Sequence, residues 1–190
     1  MRSYRILDLS FGLIIALYPA QSLTANPFER GAVADFFTLF RQQSIPIQTV
    51  FWKHPQYKPG DVVVSTKERR LYYVLSKDRA VEYGVGVGRE GFTWSGLKTI
   101  TRKEEWPDWR PPEQMLLRRP DLPRYMPGGI DNPLGARALY LASSNYRIHG
   151  SNEPDTIGAA VSSGCIRMTN KDIVDLYSRV KVGTKVYVLN

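Results

Sequence analysis

The sequence predicts a mainly β fold: a curved β-sandwich or barrel-like domain that carries one short helix near its C-terminal end. Period-two alternation of apolar residues recurs in several short segments, and glycines and prolines separate these segments as turns. One segment after residue 168 has the spacing of an amphipathic helix instead. A chain of 190 residues is long enough for one domain with its own core, so a second domain is not required.

The predicted strands begin after Asp61 and continue to the end of the chain, so residues 61–189 are expected to form the domain. Aromatic and β-branched residues, which suit a pleated and half-buried surface, are frequent in these segments. The strands are predicted at residues 62–65, 70–75, 81–87, 138–141, 146–149 and 185–189.

Residues 106–133 separate the two groups of strands and contain seven of the thirteen prolines. Proline cannot donate to a strand ladder, so this stretch cannot be one continuous strand. A long ordered loop in a compact domain is often a lid or a groove wall, which favours a role in lining a substrate site. A purely structural loop over the sheet is the alternative.

The predicted helix begins next to Thr169, where the sequence TNKD has the residue types of a capping box. Because the helix starts close to Cys165 in the sequence, its N-terminal dipole would favour a thiolate if it points at the sulfur. The residues expected on one apolar face of this helix are Ile173, Val174, Tyr177 and Val180.

Residues 1–25 have the layout of a secretory signal peptide. Arg2 and Arg5 precede an apolar stretch at residues 9–18, and small residues follow up to Ala25. The apolar stretch is too short for a transmembrane helix, which needs about 20 residues. The mature chain is therefore expected in the periplasm or cell envelope, without a membrane span. An uncleaved N-terminal anchor is the alternative.

Residues 26–60 are expected to form a lead-in segment in front of the domain. Within it, residues 32–43 carry one valine and three phenylalanines at helical spacing, which predicts a short amphipathic helix that ends before Pro46. Structural packing is the expected role of this helix.

The chain carries 26 basic and 18 acidic side chains, a net charge of +8. Removal of the leader takes away Arg2, Arg5 and Asp8, which leaves 24 basic and 17 acidic side chains and a net charge of +7. A basic surplus outside the cytoplasm suits an anionic polymer of the envelope, and a generic basic surface is the alternative. The sequence lacks zinc-finger spacing, a helix-turn-helix pattern and RNA-binding aromatic motifs, so no nucleic-acid partner is expected.

Two short motifs match known functional patterns but lack the neighbouring sequence that each pattern requires. Residues 86–91 fit the dinucleotide pattern Gly-x-Gly-x-x-Gly, but the residues that follow have little helical character. Ser95 and Lys98 match the Ser-x-x-Lys element of penicillin-binding serine enzymes, but the Lys-Thr-Gly element is absent. With two histidines and one cysteine in the chain, neither a metal site nor any cofactor is expected.

Cys165 is the only cysteine, so it cannot form the internal disulfide that is common in exported proteins. It lies in the sequence VSSGCIR at residues 161–167, downstream of His149. A thiol becomes a good nucleophile beside a base, a cation or a dipole end, and an imidazole that titrates near neutrality suits the base. Gly164 permits a sharp turn before the sulfur. For Cys165 taken alone, a buried packing role is the alternative.

Residues 146–151 (YRIHGS) and 162–170 (SSGCIRMTN) resemble the two motifs of the L,D-transpeptidase catalytic domain, also called the YkuD domain. His149 precedes Cys165 by 16 positions, which fits the spacing in that family. The resemblance implies a mostly β sandwich with the cysteine on a loop. It also implies acyl transfer between peptidoglycan stem peptides, which serve as donor and acceptor, without a cofactor. A monomer is expected.

The resemblance also implies roles for the residues of the two motifs. Cys165 would attack the amide between an L-centre and a D-residue and form a thioester. His149 would act as the base, and Gly150, the residue just after it, would supply the carbonyl that orients its ring. Backbone N–H groups around Gly164 and Cys165 would form the oxyanion hole.

Three further residues are expected to contact the substrate. Arg167 resembles the arginine with which the family holds anionic groups of the stem peptide, and Tyr146 and Ser163 belong to the same two motifs. Many members carry a second histidine where this chain has Ser163, so His149 is the one candidate base. Water or a protein lysine as acceptor would instead give an L,D-carboxypeptidase or a protein-anchoring enzyme. A catalytically silent peptidoglycan-binding module is the alternative from another class.

Overall fold

The computed structural model describes residues 45–190, and these residues form eleven strands and two α-helices. The predicted leader at residues 1–25 and the predicted helix at 32–43 lie outside the described residues. The strands are β1 (Gln48–Phe51), β2 (Val62–Ser65), β3 (Arg70–Val74), β4 (Arg79–Gly84), β5 (Val87–Gly88), β6 (Gly96–Glu105), β7 (Arg137–Leu141), β8 (Arg147–His149), β9 (Ala160–Ser162), β10 (Ile166–Arg167) and β11 (Lys185–Leu189). The helices are α1 (Glu113–Arg118) and α2 (Asn170–Arg179).

Nine strands form one open, sandwich-like sheet in the order β1-β4-β3-β2-β11-β6-β7-β8-β10. The remaining two, β5 and β9, pair in parallel as a separate two-stranded sheet. The mainly β fold expected from the sequence is thereby confirmed. β10 lies parallel to β8 at one edge of the large sheet, which brings the two sequence motifs side by side.

Five of the six predicted strands correspond to β2, β3, β7, β8 and β11. The sixth prediction, a single strand at residues 81–87, was wrong, because this segment is divided between β4 in the large sheet and β5 in the small one. The division has a physical cause at Gly86. Its N–H donates to the carbonyl of Arg167 over 2.9 Å, and its carbonyl accepts from the N–H of Arg167 over 2.8 Å. This bridge draws the chain away from β4 and toward the Cys165 turn.

The longest strand, β6, joins the two halves of the large sheet. Its first residues pair with β11 and its last residues pair with β7, with a register shift between Ile100 and Arg102. The sequence pattern did not predict this strand. Residues 48–51, within the expected lead-in, were likewise not predicted as a strand, yet they pair with β4 as an edge strand.

The helix α2 packs on the sheet with Ile173 and Leu176 buried, and Val180, the residue that follows the helix, is buried as well. Thr169 caps it as expected, since its Oγ1 accepts a hydrogen bond from the N–H of Asp172 over 3.1 Å. Val174, expected on the buried face, is 42% exposed, because the three buried residues recur at positions i, i+3 and i+7 and position i+1 points aside. Neither α-helix of residues 45–190 is long and apolar enough to span a membrane.

The proline-rich segment 106–133 is an ordered loop that contains α1. Trp109 and Met126 exchange two backbone hydrogen bonds of 2.8 and 2.9 Å across the loop. The buried amide of Asn132 donates to three carbonyl oxygens of the same loop, those of residues 107, 126 and 127, at 2.9 to 3.2 Å. These bonds give partners to the carbonyls of Pro107 and Pro127 and add to the bond that the Met126 carbonyl accepts from Trp109, so they hold the parts of the loop together.

Candidate active site

Cys165 lies on a tight turn between β9 and β10. It contributes to the wall of a cavity of about 280 Å³, which is called the first cavity below. Ser162 closes this turn: its Oγ accepts from the N–H of Gly164 over 3.1 Å and donates to the carbonyl of Cys165 over 2.6 Å. Gly164 has φ +103°, in a region that favours glycine. The thiol is free and half-buried. The turn therefore presents the sulfur to the cavity in a fixed geometry.

Two aromatic residues hold Gly164 from outside the turn. The Trp94 indole N–H donates to the Gly164 carbonyl over 2.8 Å, and the Trp94 ring stacks on Tyr146 with centroids 4.7 Å apart and planes 4° apart. A Cβ added at Gly164 would lie 2.5 Å from Cε1 of Tyr146. Glycine is thus required by both the backbone conformation and the contact with Tyr146.

His149 is the last residue of β8 and pairs with Arg167 of β10 in the parallel register. Its side chain is 4% exposed and contributes to the same cavity wall as Cys165. Its Nδ1 lies 2.6 Å from the carbonyl oxygen of Gly150. Because a carbonyl only accepts, Nδ1 carries the proton and Nε2 keeps its lone pair. The carbonyl of Gly150 therefore orients the ring.

Burial lowers the pKa of His149 from 6.5 to about 3. Desolvation of the charged imidazolium is the largest cause, and the positive charges of Arg167 and Arg147 act in the same direction. The hydrogen bond to Gly150 opposes this shift without cancelling it. At neutral pH the imidazole is therefore neutral and its Nε2 lone pair can accept a proton, but the lowered pKa makes it a weaker base than the near-neutral imidazole that the sequence predicted.

Gly150 fits against the start of α2. A Cβ at Gly150 would clash with Oδ1 of Asn170, the same atom that accepts a hydrogen bond from the N–H of Ala136 over 2.8 Å. The N–H of Gly150 in turn donates to the carbonyl of Arg137 over 3.0 Å. These contacts leave no room for a side chain after His149 and hold the carbonyl that orients its ring.

The two N–H groups expected at the oxyanion hole differ in availability. The N–H of Gly164 already donates to Ser162 Oγ, so it is not free to bind a substrate oxygen. In the part of the chain that the structure describes, the N–H of Cys165 has no hydrogen-bond acceptor. Cys165 is therefore the available donor in this turn.

Arg167 lies in the first cavity, but its guanidinium already has an anionic partner. Nη1 donates to Oε2 of Glu153 over 2.8 Å and lies 3.3 Å from the Thr156 hydroxyl. The side chain of Arg167 is 22% exposed, and that of Glu153 is 59% exposed. An incoming carboxylate would have to compete with Glu153 for it.

Ser163, the residue before the Gly-Cys pair, faces the first cavity. Its hydroxyl accepts a hydrogen bond of 3.3 Å from Nη1 of Arg89. The residue before the Gly-Cys pair thus contacts a cation of the segment that follows β5.

The loop 106–133 forms much of the remaining wall of the first cavity. The loop therefore lines the cavity that holds Cys165, and a role in lining a substrate site stays a prediction. The loop residues at the cavity are Trp109, Pro112, Met115, Leu122 and Pro133.

Among residues 45–190, no group of three or more acidic, histidine or cysteine side chains is arranged to hold a metal ion.

Several residues that build the site were not predicted from the sequence. Trp94 contacts Gly164 across 70 positions, and Glu153 contacts Arg167 across 14, so no local pattern indicates either contact. Ser162 and Asn170 lie within the recognised motif, and their polar side chains next to the turn were the available signal.

The sheet and the cavity shared by Cys165 and His149 define a mainly β protein with a cysteine–histidine site. The chain belongs to the L,D-transpeptidase catalytic domain family, because the YkuD family model matches residues 59–188.

Named relatives fall in the same family. The probable L,D-transpeptidase ErfK/SrfK of Escherichia coli (strain K12) is 37% identical over 177 residues, which cover 87% of this chain and 55% of the relative. The putative L,D-transpeptidase YkuD of Bacillus licheniformis is 37% identical over 147 residues, which cover 77% of this chain and 74% of the relative. The chain thus spans about half the length of the Escherichia coli relative.

Solved structures share the fold. An L,D-transpeptidase from Mycobacterium smegmatis matches with a TM-score of 0.55 and 18% identity, over 68% of this chain and 58% of that one. A crystal structure from Brucella melitensis matches with a TM-score of 0.53 and 42% identity, over 79% of this chain and 97% of that one.

The Brucella melitensis protein is described as a probable carnitine operon oxidoreductase, caia. In the present chain the glycine motif at residues 86–91 runs through β5 and a turn into β6, not into a helix. A dinucleotide-binding glycine motif must open a helix whose N-terminus receives the pyrophosphate. The motif therefore lacks the context that the dinucleotide interpretation requires.

Proposed function

We propose that this protein is an L,D-transpeptidase that cross-links peptidoglycan stem peptides through a thioester on Cys165. One observation carries the proposal: Cys165 and His149 share one cavity, and the bond between Nδ1 and Gly150 leaves Nε2 of His149 free to accept a proton. Membership of the family supports the reaction class.

The first half-reaction is acylation of the thiol. Sγ of Cys165 attacks the carbonyl carbon of the amide between an L-centre and a D-residue, while Nε2 of His149 takes the thiol proton. The N–H of Cys165 stabilises the oxyanion. The C–N bond then breaks, His149 returns the proton to the leaving amine, and the terminal D-residue departs.

The second half-reaction transfers the acyl group. An amine of another stem peptide attacks the thioester carbonyl, His149 removes a proton from that amine, and the C–S bond breaks. The proton then returns to the thiolate. A new amide joins the two stems, and the enzyme regains its starting state.

We place this reaction in the periplasm or cell envelope, because peptidoglycan lies outside the cytoplasm. The N-terminal pattern of residues 1–25 supports export. The surplus of basic side chains also suits an anionic polymer.

Intact-protein mass spectrometry tests the chemistry. After incubation with a tetrapeptide stem, the purified protein is expected to gain the mass of the tripeptidyl acyl group, and Cys165→Ser is expected to lose the adduct while keeping its melting temperature. His149→Ala should slow acylation strongly. A folded parent protein that binds the stem and forms no adduct would be a silent binding module, which contradicts the proposal.

Product analysis tests the acceptor. Addition of a second stem with a free amine should yield the cross-linked dimer. A truncated stem released to water would indicate a carboxypeptidase, and transfer only to a protein lysine would indicate an anchoring enzyme. Either result in place of the dimer would overturn the transpeptidase assignment.

A further inference from the structure

A second cavity of about 490 Å³ adjoins the first. The two cavities have five wall residues in common, two of them from the loop 106–133 and three from the segments beside Cys165. A chain bound at Cys165 can therefore continue from one cavity into the other. The shared residues are Pro112, Met115, Asn145, Tyr146 and Ser163.

The second cavity carries positive charge without a balancing carboxylate. Lys98 and Arg118 line it, and no aspartate or glutamate does. Arg89 reaches its edge through the bond to Ser163. Within residues 45–190 none of these three cations forms a salt bridge, although six other arginines do.

Two of these cations converge on one aromatic ring. The guanidinium carbons of Arg89 and Arg118 lie 4.2 and 5.4 Å from the centroid of Phe92, which lines the second cavity. Lys98 approaches from β6, where its Nζ donates to the carbonyl of Ala142 over 3.3 Å. Like charges held close together repel, and a bound anion removes that repulsion.

Two arginines line the first cavity, and one of them, Arg147, forms no salt bridge among residues 45–190. The other, Arg167, is already paired with Glu153 over 2.8 Å, so a substrate carboxylate must displace that partner. Binding of a carboxylate to Lys98 and Arg118 does not require the displacement of a carboxylate partner. A carboxylate that enters the second cavity therefore meets cations that lack an anionic partner in the described part of the chain.

We propose that Lys98 and Arg118 form a carboxylate-binding subsite for the donor stem, on the acyl side of the bond that Cys165 cleaves. This inference rests on the proposed function. The side follows from His149, which lines only the first cavity and must return a proton to the leaving amine. The leaving D-residue therefore stays beside His149, and the acyl part of the donor passes Tyr146 and Ser163 into the second cavity.

Binding to a variant that cannot be acylated provides the first test. In a Cys165→Ser background, the dissociation constant of a tetrapeptide stem is measured by calorimetry, with and without Lys98→Gln and Arg118→Gln. We expect the pair of substitutions to weaken binding about 10- to 100-fold, the effect of losing charge-assisted hydrogen bonds. Arg119→Gln is the matched control, because the neighbouring Arg119 is paired with Asp121 and lines neither cavity. Equal affinity in all variants would overturn the subsite.

Amidated peptides identify which carboxylate is bound. Amidation of the acyl-side carboxylates should remove the sensitivity to Arg118→Gln, whereas amidation of the terminal carboxylate should preserve it. The reverse result would place the leaving residue in the second cavity and overturn the assignment.

Acylation of the parent protein separates this inference from the proposed function. A stem that binds through Arg118 and never acylates Cys165 would support the subsite and contradict the transpeptidase. Equal acylation rates in the parent and in the double variant Lys98→Gln, Arg118→Gln would support the transpeptidase and contradict the subsite. Alkylation of Cys165 by iodoacetamide should be equal in both proteins, and a slower reaction in the variant would show altered thiol reactivity instead of a lost subsite.

Discussion

Trp94 Nε1 donates a hydrogen bond of 2.8 Å to the carbonyl oxygen of Gly164, the residue before Cys165. The same indole stacks on Tyr146, whose ring covers Gly164. The orientation of the nucleophile therefore depends on the segment between β5 and β6, 70 positions earlier in the chain.

We expect Trp94→Phe to lower the rate of Cys165 acylation about tenfold. Phenylalanine can keep the stacking but loses the hydrogen bond, which typically contributes about 0.5–1.5 kcal/mol. Stopped incubations followed by mass spectrometry give the rate. Trp106→Phe is the matched control, because Trp106 is 44% exposed and lies outside both cavities. Equal rates in the two variants would show that the bond to Gly164 does not position the turn.

Gly164→Ala should destabilise the protein more than Gly91→Ala. Both glycines have positive φ, +103° and +80°, so both substitutions incur a backbone cost of about 1 kcal/mol. Only at Gly164 does the new Cβ also collide with Tyr146, whereas Gly91 has open space around it. Urea unfolding compares the two. Equal losses in the free energy of unfolding would contradict the crowding that the structure shows.

Stability should fall on acidification because of His149. Burial lowers its pKa from 6.5 to about 3, so between these pH values the unfolded chain binds a proton that the folded protein does not. The free energy of unfolding therefore decreases as the pH falls through this window, by up to about 1.4 kcal/mol per pH unit, and is unaffected by this group above it.

Urea unfolding of the parent and of His149→Gln between pH 7 and pH 4 measures this contribution. The variant should lose that part of the pH slope. His54→Gln, at an exposed histidine, is the matched control and should keep the parent slope. An unchanged slope in His149→Gln would mean that the buried imidazole is protonated as readily as in the unfolded chain.

The parts of the site that were predictable from the sequence are those encoded locally. Gly164 and Cys165 are adjacent, Gly150 follows His149 directly, and the cap at Thr169 lies three residues from its partner. The strand β11 was also predictable, because its alternation buries one face, and β2 was predictable as a short run of valines that is buried on both faces.

The unpredicted parts depend on contacts between distant segments. The salt bridge between Arg167 and Glu153 changes what Arg167 can bind, and the sequence spacing of the two residues does not predict this salt bridge. β6 escaped assignment because its polar end, TRKEE, includes exposed residues and lacks a clean alternation. The split between β4 and β5 follows from the bridge of Gly86 to Arg167, which exists only once the Cys165 turn has folded beside it.

Lys103→Met should destabilise the fold without slowing the chemistry. Lys103 Nζ donates to the carbonyl oxygens of Tyr177 and Val180 over 2.7 Å each, at the C-terminal end of α2 where the last carbonyls lack helical partners. Hydrogen bonds from a charged group contribute about 1.5–3 kcal/mol, so the free energy of unfolding should fall by about that amount. The acylation rate of the folded variant should stay at the parent value, because Lys103 lines neither cavity. Lys67→Met, at an exposed lysine, controls for the loss of one positive charge, and an equal effect in the two variants would show that the cap contributes nothing specific.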